Sequence, residues 1–282
     1  MRKLLLGDEA IAQAAIDSGL SGVYAYPGTP STEITEFIQL REEKRGDAEN
    51  KICCRWATNE KTAMEGALGM SYMGKRALVC MKHVGMNVAA DPFVNSAMTG
   101  VNGGLVVVAA DDPSMHSSQN EQDSRFYGKF AMMPIFEPSN QQEAYDMTRA
   151  AFELSEAVKL PVLMRVTTRM AHSRAVVNVT EEPRKQNEIN RPEDVRTWIL
   201  LPAFAKKRYV QLLAQQDDLM KASLESKYNC YRKGTNPELG VICTGIAYNY
   251  YMENVANAEE RSVLKVAQYP LPVELIEKMV AD

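Results

Sequence analysis

Glu60 stands in the stretch Trp56 to Cys80, WATNEKTAMEGALGMSYMGKRALVC, where a buried strand is expected to hand over to an apolar-periodic helix. A carboxylate in the first turn of a helix faces the positive end of the helix dipole. That arrangement is worth roughly 0.3 to 1 kcal/mol and needs nothing special nearby. The same carboxylate in a partly desolvated cleft would have a raised pKa and could exchange a proton. Spacing alone leaves both readings open. Three other polar stretches follow expected strands, namely PGTPST, KHVGMN and DDPSMHSSQNEQDSR. His83 and His116 lie in two of them, whereas His172 has no such context. The three histidines show no metal-ligand spacing, and each is otherwise read as a polar surface or hydrogen-bonded residue.

Several familiar chemistries find no motif. The chain has no G-x-G-x-x-G after a strand, no G-x-x-x-x-G-K-[ST], no G-x-S-x-G and no H-E-x-x-H. Five cysteines (Cys53, Cys54, Cys80, Cys230, Cys243) form an odd set without C-x-x-C, so no disulfide framework, zinc site or iron–sulfur site is read from them. They are expected to be buried or partly buried free thiols in a reducing compartment. The net charge of -4, with no Lys/Arg block, argues against nucleic-acid or membrane-surface binding. No apolar run approaches the length of a membrane span, and MRKLLL is followed at once by Gly7, Asp8 and Glu9, so a cytoplasmic chain is expected.

The elements that must position these loops follow from periodicity. With 282 residues, 45% of them hydrophobic, there is ample material for one large or two moderate domains. Helices are expected over Asp8 to Ser18, about Ser31 to Glu43 with Ser31 or Thr32 as N-cap, from Glu60 onward, and about Asn140 to Ala157. They alternate with the strands GVYAYPG, ICCRWAT, RALVCM, GGLVVVAADD and PVLMRV. Unbroken apolar strands between helices imply an α/β fold, a doubly wound parallel sheet covered on both faces. Ligands of such sheets sit outside the carboxyl ends of the strands, which is where all four polar stretches fall.

Residues 1–178 are therefore expected to form the first domain. The stretch 179–237, rich in charge and Gln/Asn, reads as a partly helical linker. From residue 238 a new strand–turn–helix begins at ELGVICTGIAYNYYMENV, followed by a strand in SVLKVAQYPLP. About 45 residues cannot cover both faces of a parallel sheet, so this last unit is expected to be incomplete, cut off or completed by another chain.

The segments YPGTPSTEI, ATNEKTAMEGALGMSYMGKRALVCMKHVGMNVAADP and DDPSMHSSQNEQDSR, in that order, resemble the alpha subunit of the thiamine-diphosphate-dependent 2-oxoacid:ferredoxin oxidoreductases, in its indolepyruvate branch. The resemblance covers about residues 1 to 175 and resumes at LGVICTGIAYNYYMENV and SVLKVAQYPLPVELIEKM, which resemble the start of a transketolase C-terminal-like domain. It implies that the first domain binds the pyrimidine end of thiamine diphosphate, with Glu60 matching the glutamate that hydrogen-bonds the aminopyrimidine and promotes proton loss from the thiazolium carbon. The cofactor then carries the decarboxylation, electrons pass singly to iron–sulfur clusters, and coenzyme A accepts the acyl group.

The resemblance also places Pro27, Gly28 and Thr29 in a loop approaching cofactor and substrate, where Gly28 permits close backbone approach and Thr29 offers a hydroxyl. Residues Lys82 to Asn87, with Gly85 and Asn87 toward the cofactor, match the next such loop, and His83 is a candidate for substrate contact or proton transfer. Arg125 is a candidate partner for the substrate carboxylate, since a guanidinium binds carboxylate bidentately. Outside the resemblance, the first loop is simply a turn and Arg125 lies on a solvated polar surface.

Two features of the family are missing from this sequence, the G-D-G motif with its asparagine that holds Mg2+ and the cysteine-rich ferredoxin repeats. Mg2+ and the clusters are therefore expected on a further domain or partner. The implied partners are a chain or domain with the diphosphate motif, a beta (gamma-type) subunit, ferredoxin and coenzyme A, within an oligomer. Two competing readings are the pyrimidine-domain chain of a two-chain 2-oxoacid decarboxylase, which needs neither clusters nor coenzyme A, and a non-catalytic assembly module.

Overall fold

The structure is a computed structural model that describes residues 1–46 and 49–282. In chain order its elements are β1 (Arg2–Leu6), α1 (Gly7–Asp17), β2 (Gly22–Ala25), α2 (Thr32–Lys44), β3 (Cys53–Trp56), α3 (Glu60–Tyr72), β4 (Ala77–Lys82) and α4 (His83–Thr99). There follow β5 (Leu105–Asp111), α5 (Arg125–Phe130), β6 (Ile135–Phe136), α6 (Gln141–Val158), β7 (Val162–Thr167), α7 (Thr168–His172) and β8 (Arg174–Asn178). The rest comprises α8 (Pro202–Ala214), α9 (Gln216–Leu224), β9 (Cys230–Arg232), β10 (Asn236–Thr244), α10 (Ala247–Asn254), β11 (Arg261–Val266), β12 (Gln268–Tyr269) and α11 (Val273–Ala281).

Seven strands form the main sheet in the order β12-β6-β7-β5-β4-β2-β3. All neighbours are parallel except β12, which pairs antiparallel with β6. Alternate residues of β5 explain its unbroken apolar run. Val106, Val108 and Ala110 pack into a core with α1 and α6, whereas Leu105, Val107 and Ala109 pack into a second core with α3 and α4. Both faces of the strand are thus dry, the condition that permits an all-apolar parallel strand.

Three expectations change. β3 is the edge of the sheet and half-exposed, because nothing pairs beyond it among the described residues; the strand before Glu60 is not a buried one. KHVGMN is not a loop: Lys82 ends β4 and His83 to Asn87 open α4. MRKLLL forms β1, paired antiparallel with β8.

The connector is not free either. The Arg184 and Asn190 N–H groups donate to Asp17 O (2.8 Å) and Met73 O (2.9 Å), and the Gln186 amide donates to Leu20 O (2.9 Å). Trp198 stacks on Tyr72 with ring centroids 4.4 Å apart. Asp17, Leu20 and Met73 all precede strands, so the connector straps the amino ends of the sheet, opposite the rim where ligands bind. Beyond it, Leu212 of α8 and Leu219 of α9 are buried in the α3/α4 core.

The last unit begins inside the expected linker, since β9 pairs with β11 in a three-stranded sheet ordered β10-β11-β9. It joins the main sheet directly, because the chain runs from β11 through buried Ala267 into β12. Of the cysteines, Cys80 and Cys243 are buried and Cys53 and Cys54 partly so, but Cys230 is exposed. No helix among the described residues is long and apolar enough to cross a membrane.

Candidate active site

The strand order fixes where a ligand can enter. From β2 the chain moves outward to β3, then returns across to β4 on the other side of β2. The loops after β2 and β4 therefore diverge and leave a crevice at the carboxyl ends, the usual binding position in open α/β sheets.

Asn59 caps α3, its side-chain oxygen accepting the Thr62 N–H at 2.9 Å, which fixes Glu60 as the first helical residue. The Glu60 side chain is 9% exposed and lies against the first turn of α4. A Cβ built on Gly85 would stand 2.6 Å from both Glu60 Cγ and Oε1. Only glycine at position 85 leaves room for this carboxylate. No donor among the described residues bonds it, so it faces the crevice as an uncommitted acceptor.

The turn after β2 comes close to the same place. A Cβ on Gly28 would be 3.2 Å from Lys82 Cβ. The turn is held by the Gly28 N–H donating to Thr32 Oγ1 (3.0 Å) and by Ser31 Oγ donating to Gly28 O (2.8 Å). Ser31 occupies the N-cap position of α2 but spends its hydroxyl on this turn rather than on a cap. Pro27 and Thr29 are exposed beside it.

His83 is fully buried, with Nε2 3.0 Å from Asn120 O. A carbonyl only accepts, so Nε2–H donates to it, while Nδ1 is buried and without a partner. The Lys82 ammonium, also buried, donates to Ser117 O. Consecutive residues of β4 and α4 thus draw the 112–124 segment over the crevice. Asp112 anchors its start, accepting from the Ser117 N–H (2.8 Å), Ser118 Oγ (2.6 Å) and Thr168 Oγ1 (2.7 Å). Burial works to raise the Asp112 pKa, but these bonds and the Lys82 charge outweigh it and hold the group down at about 2.

Glu60, Gly85, Gly28 and His83 are therefore brought together, along with Lys82, whose charge at the end of an apolar strand was the signal in the sequence. Asn87 lies one turn further along α4, exposed, and accepts from Tyr127 OH. Arg125 is elsewhere engaged. Its N–H groups reach Asp123 (2.8 Å), Glu137 (3.2 Å), Thr244 (2.9 Å) and Tyr269 (3.3 Å). Arg165 bonds Asp111 (2.7 Å) and Glu137 in the same network. This network joins the first domain to β10 and β12, and a substrate carboxylate would have to displace one of these partners to reach Arg125. The arginine inside the apolar run PVLMRV was its trace in the sequence.

A buried, uncommitted carboxyl group over a glycine cradle fits the aminopyrimidine end of thiamine diphosphate, whose ring nitrogen accepts from a carboxylic acid or, when protonated, donates to a carboxylate. Among the described residues, none at this crevice supplies the carboxylate and asparagine set that a Mg2+–diphosphate needs.

Residues 13–236 match the family described as "Pyruvate flavodoxin/ferredoxin oxidoreductase, thiamine diP-bdg". The chain is 42% identical over 282 residues to a protein of Archaeoglobus fulgidus named indolepyruvate oxidoreductase subunit IorA, covering 99% of this chain and 45% of the relative. Its namesake from Methanothermobacter thermautotrophicus is 41% identical, covering 98% of this chain and 44% of the relative. The chain thus spans about half the length of the curated relatives it matches. A solved 2-oxoglutarate:ferredoxin oxidoreductase from Magnetococcus marinus, with 2-oxoglutarate, coenzyme A and succinyl-CoA bound, superposes with a TM-score of 0.73 at 16% identity over 99% of this chain and 56% of its own, a likeness of fold. With four-fifths of its length inside the matched region, this chain belongs to the pyruvate flavodoxin/ferredoxin oxidoreductase family of thiamine-diphosphate-binding proteins.

Proposed function

We propose that the chain supplies the pyrimidine half of a thiamine diphosphate site in an oxidoreductase that decarboxylates indolepyruvate or a related arylpyruvate. Coenzyme A would take the acyl group, ferredoxin the electrons, and a partner chain or domain would hold Mg2+, the diphosphate and the iron–sulfur clusters, in a cytoplasmic oligomer. The observation that carries this reading is the Glu60 carboxylate, buried, without a donor and held against Gly85 at the sheet's crevice. Bound thiamine diphosphate supplies a nucleophilic carbon and an electron sink for loss of CO2.

The chain's own residues do the rest. Glu60 shares a proton with the pyrimidine ring, a role favoured by its place at the crevice without another partner. Gly85 leaves room for the acid, Gly28 lets its turn approach Lys82, Thr29 offers a hydroxyl to the substrate, and His83, with its buried Nδ1 unpartnered, stands in the same group. Both relatives are named as oxidoreductase subunits, which favours this reading over a decarboxylase or a non-catalytic module.

In the assembled enzyme, Glu60→Gln should lower arylpyruvate-dependent ferredoxin reduction by about 10²- to 10⁴-fold, the range expected for a lost proton-transfer group, with an unchanged circular dichroism spectrum. Near-normal turnover by this variant would contradict the role.

A further inference from the structure

Behind the Gly28 turn, three helix ends converge on a group of side chains that the thiamine site does not use. Asp8 lies in the first turn of α1, Glu33 in the first turn of α2, and His172 is the last residue of α7. One ligand atom from each lies within 4.8 Å of the others. His172 lies more than a hundred residues from Asp8 and Glu33 in the sequence, but the fold fixes all three. The Gly7 N–H donates to Ser173 O at 3.2 Å, and a Cβ on Gly7 would meet Met170 O at 2.1 Å, so α1 starts hard against α7.

Asp8 is fully buried, and neither of its carboxylate oxygens has a hydrogen-bond partner. Glu33 Oε2 is likewise buried and unpartnered, while Oε1 is 3.5 Å from His172 Nε2. A buried carboxylate without a donor carries its full desolvation cost, so native structures supply it with a donor, a proton or a cation. His172 is partly exposed and lines a cleft of about 560 Å³ with Thr168 and His116, which gives an ion a path from solvent.

We infer that Asp8, Glu33 and His172 form a site for a divalent transition-metal ion that ties α1, α2 and α7 together behind the Gly28 turn. Two carboxylates and one imidazole suit zinc and its neighbours. Small side-chain rotations bring three atoms already this close to the ~2.1 Å that such an ion requires. The remaining coordination positions fall to water from the cleft. The ion would serve the fold at the base of α2, and the inference stands whether or not the thiamine reading holds.

The test uses the whole chain, stripped with chelator and then dialysed against Zn2+, with elemental analysis for stoichiometry and thermal melting for stabilisation. The expected result is one Zn2+ per chain and a raised Tm. Asp8→Asn and His172→Ala should each weaken binding by about tenfold or more and lose the Tm rise. A Cys53→Ser/Cys54→Ser double variant should bind as the wild type does, which separates this site from adventitious thiol binding. His172 is partly exposed, so its alanine variant keeps the test usable if Asp8→Asn does not fold. Absence of stoichiometric Zn2+, or binding that survives both Asp8→Asn and His172→Ala, overturns the inference.

Discussion

At position 85 a missing side chain decides where a carboxylate sits. Gly85→Ala would place a methyl 2.6 Å from Glu60 Oε1, and the two cannot coexist without displacing the acid. In the assembled enzyme this substitution should cost about 10²-fold in kcat, as a displacement of about 1 Å at a reacting group does. An unchanged kcat would mean that Glu60 works from another position or not at all. Glu60 was singled out only through the resemblance of its segment to a known family, because a carboxylate in the first turn of a helix also has an ordinary use against the helix dipole. The engaged state of Arg125 was not legible, because its partners Glu137, Thr244 and Tyr269 lie 12 to 144 residues away, at separations no local pattern records.

Among the elements, the 112–124 segment is held by charge-assisted bonds rather than by a core. Asp112, at about 2, lies below the ordinary carboxylate value near 4. A depressed carboxylate stabilises the folded form above its unfolded pKa and releases that contribution as pH falls through the folded one. The tie is therefore complete above about pH 5 and is lost on approach to pH 2. Amides of 113–124, corrected for intrinsic exchange rates, should lose protection over that interval, and Asp112→Asn should already lack it at pH 5. Equal protection in both proteins would show that other contacts hold the segment.

The sequence made the inner strands plain, because β4 and β5 are buried on both faces and show no polar interruption. It hid the start of α4, whose His83, Gly85 and Asn87 resemble a loop and whose interior contains Pro92. It also hid β1, because a half-buried strand is specified by a partner, β8, that lies some 170 residues away.

Across the whole molecule, the last unit is bound to the first by the Lys265–Glu143 ion pair and by hydrogen bonds of Thr244 and Tyr269 with Arg125 and Glu137, a network that Arg165 completes from the first domain. Glu137 and Asp111 are buried and share Arg165. Arg165→Met should destabilise the chain by about 3 to 5 kcal/mol in urea denaturation, because it strips a cation from two buried carboxylates. A loss under about 1 kcal/mol would mean that Arg125 and Tyr269 satisfy Glu137, and Ser124 satisfies Asp111, without it. With both units docked as one body, the uncommitted Glu60 carboxylate faces outward at the crevice, where a second half-site would meet it.

The most direct test of that claim is exchange of the thiazolium C2 proton of thiamine diphosphate, followed by quenched-flow NMR in the enzyme assembled from this chain and its co-purifying partner. Wild-type exchange should exceed that of Glu60→Gln by about 10²- to 10⁴-fold with cofactor bound to both. Equal exchange rates in the two proteins would show that this chain does not supply the pyrimidine acid.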